Sequence, residues 1–303
     1  MRSSTLRMTR RDLLRRSLVI AASPCLASWG QSLLKAAENK RERFFFGVHP
    51  YSIKSHFDSG ELSLEGYPAF AKNSLGVQAI ELAAELSLPL LEKPDLVARI
   101  RKNAESQGIK VHALLCSGAF KLDATREADR KAAVEDHLRW AAIASQLGCD
   151  FLRVRASTEG DLPKQLQNAA DGISSLWDQM PKGSPAILIE NVAGPSRNAD
   201  WMVDLVKKIG ADRVGVLADF GNFDGDLYTG MAKLMPFTKS LCTKSWDFDA
   251  DGNDTKIDFA KMMQIVMSTD FSGCISIEYL GKKTPPIEGV KKSIRLVQRQ
   301  LAR

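Results

Sequence analysis

The 303-residue chain has no apolar run of the roughly 18 residues a membrane span requires, which predicts a mature protein without a stable span. Its 21 glycines and 12 prolines follow no short repeat, and no heptad pattern is sustained. Collagen, coiled coil and low-complexity disorder are therefore excluded. Cysteine is scarce: beyond Cys25 there are Cys116, Cys149, Cys242 and Cys274, none in a Cys-x-x-Cys pair, so neither a zinc ribbon nor a thioredoxin-like site is signalled. Their wide spacing within apolar runs suggests buried thiols, although an exported protein could pair them. No Gly-x-Gly-x-x-Gly follows the first apolar segment, so the usual dinucleotide-binding logic is missing. The body also lacks excess charge. Six arginines and one acid, Asp12, fall in residues 1–27; the other 36 basic residues meet 35 acidic ones, a net of +1 against +6 for the whole chain. Such a body offers a phosphate backbone no general attraction, which excludes nucleic acid as a partner.

The positive charge belongs to a leader. Thr9-Arg10-Arg11-Asp12-Leu13-Leu14 resembles the twin-arginine motif, and Leu18–Ala22 supplies a short, weakly apolar core. A basic amphipathic helix is the plainer reading. The motif predicts recognition by the twin-arginine translocase, cleavage after about Ala27, and a periplasmic or otherwise exported product. Residues 1–40 are read as signal and linker, and residues 41–303 as the domain.

Beyond residue 43 one pattern recurs about every 30 residues: an apolar strand, a loop, an amphipathic stretch, then often a glycine. Eight strands are predicted: Phe44–Val48, Val77–Leu82, Lys110–Cys116, Asp150–Arg155, Ala186–Asn191, Val214–Asp219, Ser240–Trp246 and Cys274–Tyr279. Helical patterns cover Pro94–Gln107, Arg126–Leu147, Asp200–Ile209, Phe259–Met267 and Gly289–Leu301, with stop glycines at Gly108, Gly148 and Gly210. Strict alternation means parallel strands with helical crossovers. Eight units without a break predict an α/β fold, a single (β/α)8 TIM barrel, with an open doubly wound sheet as the alternative.

In such a barrel chemistry sits at the C-terminal ends of the strands, and alternate side chains face inward. Parity brings Glu190, Asp219 and Glu278 inward at the ends of the fifth, sixth and eighth strands. Cys242 and Lys244 share the inner face of the seventh, Arg153 and Arg155 that of the fourth, while Glu81 and His49 end the second and first. Three converging carboxylates repel unless a cation sits among them, either a divalent ion or Lys244 and Arg155. Alternatively each acid merely caps the following helix.

The segments Ile189-Glu190-Asn191, Ala218-Asp219-Phe220-Gly221-Asn222-Phe223, Thr243-Lys244-Ser245-Trp246-Asp247-Phe248-Asp249 and Ser276-Ile277-Glu278-Tyr279 resemble those of the xylose isomerase-like TIM barrels, a family of sugar and sugar phosphate isomerases and epimerases. The resemblance covers the chain after about residue 44. It implies Glu190, Asp219 and Glu278 as ligands of manganese, magnesium or cobalt, with the two Glu also moving protons between neighbouring carbons. Where the family has a strand-seven His, this chain has Cys242, whose sulfur is softer than those ions prefer. The resemblance also implies a small sugar or oxidised sugar as substrate. Glu190, Glu278 and Lys244 are then the catalytic candidates, and His49, Glu81, Arg155, Asn191, Asn222 and Trp246 the substrate contacts. A homo-oligomer is compatible with this reading. Only four histidines argue against the His-rich zinc endonuclease relatives.

Asp247-Phe-Asp249-Ala-Asp251-Gly252 with Asp258 imitates a calcium loop, but a polar loop with Asp258 capping the next helix is the simpler expectation. Phe44-Phe45-Phe46 and Trp140, Trp177 and Trp201 read as core. Three functions compete: an exported carbohydrate isomerase or epimerase using paired Glu and an enediolate; a sugar lyase or dehydratase, including a Schiff base on Lys244; and a non-catalytic sugar-binding barrel.

Overall fold

The computed structural model describes residues 43–117 and 121–303; the arginine-rich leader and Cys25 lie outside the described residues. Eight strands, β1 (Phe44–Val48), β2 (Ala79–Ala83), β3 (Lys110–Leu115), β4 (Phe151–Arg155), β5 (Ala186–Glu190), β6 (Val214–Asp219), β7 (Thr238–Ser245) and β8 (Gly273–Tyr279), run in sequence order around one closed barrel. Every neighbouring pair is parallel, and β8 pairs with β1, which excludes the open sheet. The crossovers carry α1 (Lys54–Asp58), α2 (Tyr67–Phe70), α3 (Pro94–Gln107), α4 (Glu127–Leu147), α5 (Leu162–Gln179), α6 (Ala199–Ile209), α7 (Leu227–Leu234) and α8 (Phe259–Met267), and α9 (Pro286–Leu301) follows β8.

Strand parity sorts the core into two layers. Ala113, Leu115, Leu188, Leu217 and Cys242 form a small cluster inside the barrel, while Leu152, Val154, Ile187, Ile189, Ile275 and Ile277 join the larger core under the helices. Parallel strands buried on both faces read as nearly continuous apolar runs, as these do. Neighbouring registers set Arg155 level with Glu190, Cys242 with Asp219, and Lys244 with Glu278. All four cysteines of the described residues are free and buried, so the pairing alternative does not hold among them.

Helix caps come from other residues than the three strand-end acids. Asp161, Asp226 and Asp258 accept backbone N–H groups at the starts of α5, α7 and α8, each worth about 1 kcal/mol. Glu190, Asp219 and Glu278 instead lie inside the barrel mouth at 3%, 0% and 6% exposure. No helix among the described residues is long and apolar enough to cross a membrane.

Candidate active site

Two fixed cations hold the acids. The Lys244 ammonium lies 2.8 Å from Asp219 Oδ2 and 3.2 Å from Glu278 Oε2, and donates to Asn222 Oδ1 at 3.0 Å. Burial alone would lower its pKa, but Asp219 and Glu278 reverse that and raise it. A Schiff-base role needs the opposite shift, so the two ion pairs weigh against that branch of the lyase expectation. Arg153, 1% exposed, brings Nε to 3.0 Å from Glu190 Oε2 and anchors its other end by donating from Nη1 to Cys116 O and Ser117 Oγ. Parity placed Arg153 inside the barrel without a role; pairing Glu190 is that role.

Burial pushes Asp219 up to about 7 against the pull of Lys244. It pushes Glu81, hydrogen-bonded only by Ser276 Oγ at 2.8 Å, up to about 8, so at neutral pH Glu81 is mostly the neutral acid. Glu278 goes the other way: burial would raise it, but His49 and Lys244 outweigh burial and hold it below the usual carboxylate range. His49 Nδ1 faces Glu278 Oε1 at 3.4 Å and the Tyr51 N–H at 3.3 Å, and burial lowers its own pKa.

The remaining expected contacts divide. Asn222 keeps a buried Nδ2 with no partner, a donor left for a ligand. Asn191 does not fit a substrate-binding role. Its Nδ2 donates to the carbonyls of Asp219 and Asn222 at 3.0 Å, and its Oδ1 accepts the Asp219 N–H at 2.7 Å, so it braces β5 against β6. Trp246 has the Lys256 ammonium 4.2 Å over its ring, so that face is closed to a sugar. Gly221 is required beneath these side chains: a Cβ there would meet Trp246 at 2.7 Å and Lys244 at 3.0 Å.

Glu190, Asp219 and Cys242 each offer a donor atom within 4.8 Å of the others, a cluster of ion-binding size that does not include Glu278. Two of these donors also face fixed cations. Glu190 Oε2 and Asp219 Oδ2 make no in-line hydrogen bond, yet each touches a fixed cation at 3.0 or 2.8 Å. Burial raises the Cys242 thiol well above its ordinary pKa, so it stays protonated and donates to Glu278 at 3.5 Å. The expected site for manganese, magnesium or cobalt is thus present as a buried Glu-Asp-Cys group that could bind an ion, with Arg153 and Lys244 standing beside two of its three donors.

The loop after β7 reads as a polar loop, because three of its acids already accept backbone N–H groups of this loop and of the loop after β8. Asp247 accepts from Lys282 and Lys283 N–H, Asp249 from Asp251 and Asn253, Asp254 from Trp246, Lys256 and Ile257. Arg299 fills the loop, donating to Asp251 O at 2.8 Å and Asn253 Oδ1 at 2.6 Å.

A closed barrel with an inward acidic cluster defines a TIM-barrel protein with a site at its mouth. The model of the xylose isomerase-like TIM barrel family matches residues 69–300, and the chain belongs to that family. No curated protein matches it significantly. Among solved structures it is similar to D-psicose 3-epimerase from Clostridium cellulolyticum H10, at 12% identity and TM-score 0.69, covering 85% of this chain and 99% of that one. It is also similar to 3-keto-D-glucoside 4-epimerase from E. coli (10%, TM-score 0.66, 84% and 99%) and to a probable 3-DHS dehydratase from Bacillus anthracis (14%, TM-score 0.65, 83% and 98%). At these identities the likeness is one of fold.

Proposed function

We propose that the protein is an exported carbohydrate isomerase or epimerase that moves a proton next to a carbonyl without a resident metal. The observation that carries this is Glu278, buried yet ionised between His49 and Lys244. As a carboxylate it removes the proton beside the substrate carbonyl. The electron pair moves onto the carbonyl oxygen, giving an enediolate. Lys244, whose charge faced Glu278, then faces a neutral acid and the new oxyanion, so its stabilisation grows as the reaction proceeds. The Glu278 acid so formed can return the proton to the neighbouring carbon, which completes isomerisation and leaves Glu278 ionised again. For epimerisation Glu190, on β5 beside Arg153, takes a proton from water and passes it to the other side of the carbon, while Glu278 releases its own to water. Asn222 Nδ2 supplies a hydrogen bond to a substrate hydroxyl, while His49 stays against Glu278. The sugar epimerases of like fold support this reading.

A dehydratase shares the first abstraction but needs a neutral acid for the departing hydroxyl, and Glu81 is such an acid. Incubating the protein with a panel of ketoses and keto sugars in D2O separates the readings by NMR and mass. Deuterium next to a carbonyl, lost in Glu278→Gln, supports the isomerase. Loss of water identifies the dehydratase. Bound sugar with neither change would leave a non-catalytic barrel.

A further inference from the structure

The acidic cluster accounts for Arg153 and Lys244 but leaves Arg155 without an ion pair among the described residues. It stands level with Glu190 in the β4–β5 register, and its buried Nε has no hydrogen-bond partner. The acids whose fields reach it are engaged elsewhere: Glu190 by Arg153, and Glu85 by the Tyr51 hydroxyl. Arg155 lines a cleft of about 290 Å³ formed by the loops after β3, β4 and β5, together with Lys121, His137, Ser117 and Ser157. Glu159 is the one acid on that lining among the described residues, so the cleft carries a net positive charge.

The cleft borders the catalytic cluster. Ser117 and Cys116, which line it, are the groups that anchor Arg153 behind Glu190. A substrate with its reacting carbon against Glu190 therefore extends toward Arg155. His137 adds an acceptor: 3% exposed, it gives Nδ1–H to Ala133 O at 2.8 Å, which leaves the Nε2 lone pair for a ligand hydroxyl.

We propose that this cleft binds a carboxylate carried by the sugar, so that the substrate class is a sugar acid. This deepens the isomerase reading and rests on it for the position of the reacting carbon. An unpaired guanidinium fork matches a carboxylate through two parallel hydrogen bonds. A net charge near one balances a carboxylate and leaves a phosphate, at about −1.5 to −2, undercompensated.

Calorimetry tests it with D-glucuronate and D-galacturonate against D-glucose and D-galactose, which differ only in the carboxylate, and with the corresponding hexose 6-phosphates. The acids should bind roughly tenfold or more tightly than their neutral partners. That preference should fall to near one in Arg155→Gln and be reduced in Lys121→Gln, whose exposed position leaves folding untouched. Equal binding of acid and neutral sugar, or a preference that survives Arg155→Gln, would overturn the proposal. Tighter binding of the phosphates would overturn its carboxylate assignment. Deuterium exchange on neutral sugars is read separately. If exchange fails while the Arg155-dependent preference stands, the cleft is right and the isomerase reading is wrong.

Discussion

At the scale of single residues, the site is a balance of buried charges, and its acids have different ionisation states by design of their neighbours. Glu278 is held ionised by His49 and Lys244, while Glu81 has only Ser276 and is driven toward neutrality. The second case predicts a stability effect with a definite sign. An acid whose folded pKa is raised binds more protons folded than unfolded, so stability falls as pH rises from its unfolded value of 4.5 through about 8. Glu81→Gln keeps an acceptor for Ser276 and removes that penalty. Its melting temperature should exceed wild type at pH 9, and the advantage should vanish near pH 5; an equal difference at both pH values would contradict the assigned burial cost. Much of this cluster was legible in the sequence, because period-two parity alone puts Glu190, Asp219, Lys244 and Glu278 on one face. Parity says nothing of which inward cation meets which acid. Arg153 was seen to point inward but its pairing with Glu190 was not, and Asn191, which parity would turn outward, is held by the β6 backbone and not by a ligand.

At the scale of elements, the apolar strands were readable almost residue for residue. β1 and β6 begin and end where the sequence pattern places them, as do α3 and α8. For α5 the sequence places Trp177 in a helix but sets no bounds. Its sequence carries Gly172 at the centre and polar residues on its buried side, Gln165 and Asn168. Glycine weakens a helix interior by about 1 kcal/mol relative to alanine, and here tertiary contact overrides that preference. A Cβ on Gly172 would stand 1.8 Å from the Leu122 carbonyl oxygen, so the helix can approach that backbone only through glycine. Gly172→Ala, normally helix-stabilising, should instead destabilise the barrel by roughly 3 kcal/mol in urea unfolding. A neutral or stabilising result would mean that α5 and the Leu122 segment separate freely. Because Leu122 adjoins Lys121, the same variant should also weaken binding in the cleft beside Arg155.

At the scale of the whole molecule, a near-neutral barrel follows an arginine-rich segment, and the proposed function assigns transport to the one and chemistry to the other. The leader lies outside the described residues, so export rests on the sequence: Arg10→Lys with Arg11→Lys should hold the full chain in the cytoplasm, seen by fractionation. Periplasmic delivery of that double variant would rule out the twin-arginine route. Within the barrel the central claim is that Lys244 and Arg153 neutralise the carboxylates in place of a divalent ion. The decisive measurement is manganese titration calorimetry on the folded protein, with exchange activity followed in parallel under chelator. The account predicts no manganese binding by the wild type, unchanged activity in chelator, and at least a hundredfold loss of turnover in Lys244→Met, which leaves Asp219 and Glu278 uncompensated. Stoichiometric manganese binding by the wild type, with activity lost in chelator and restored by the metal, would contradict it.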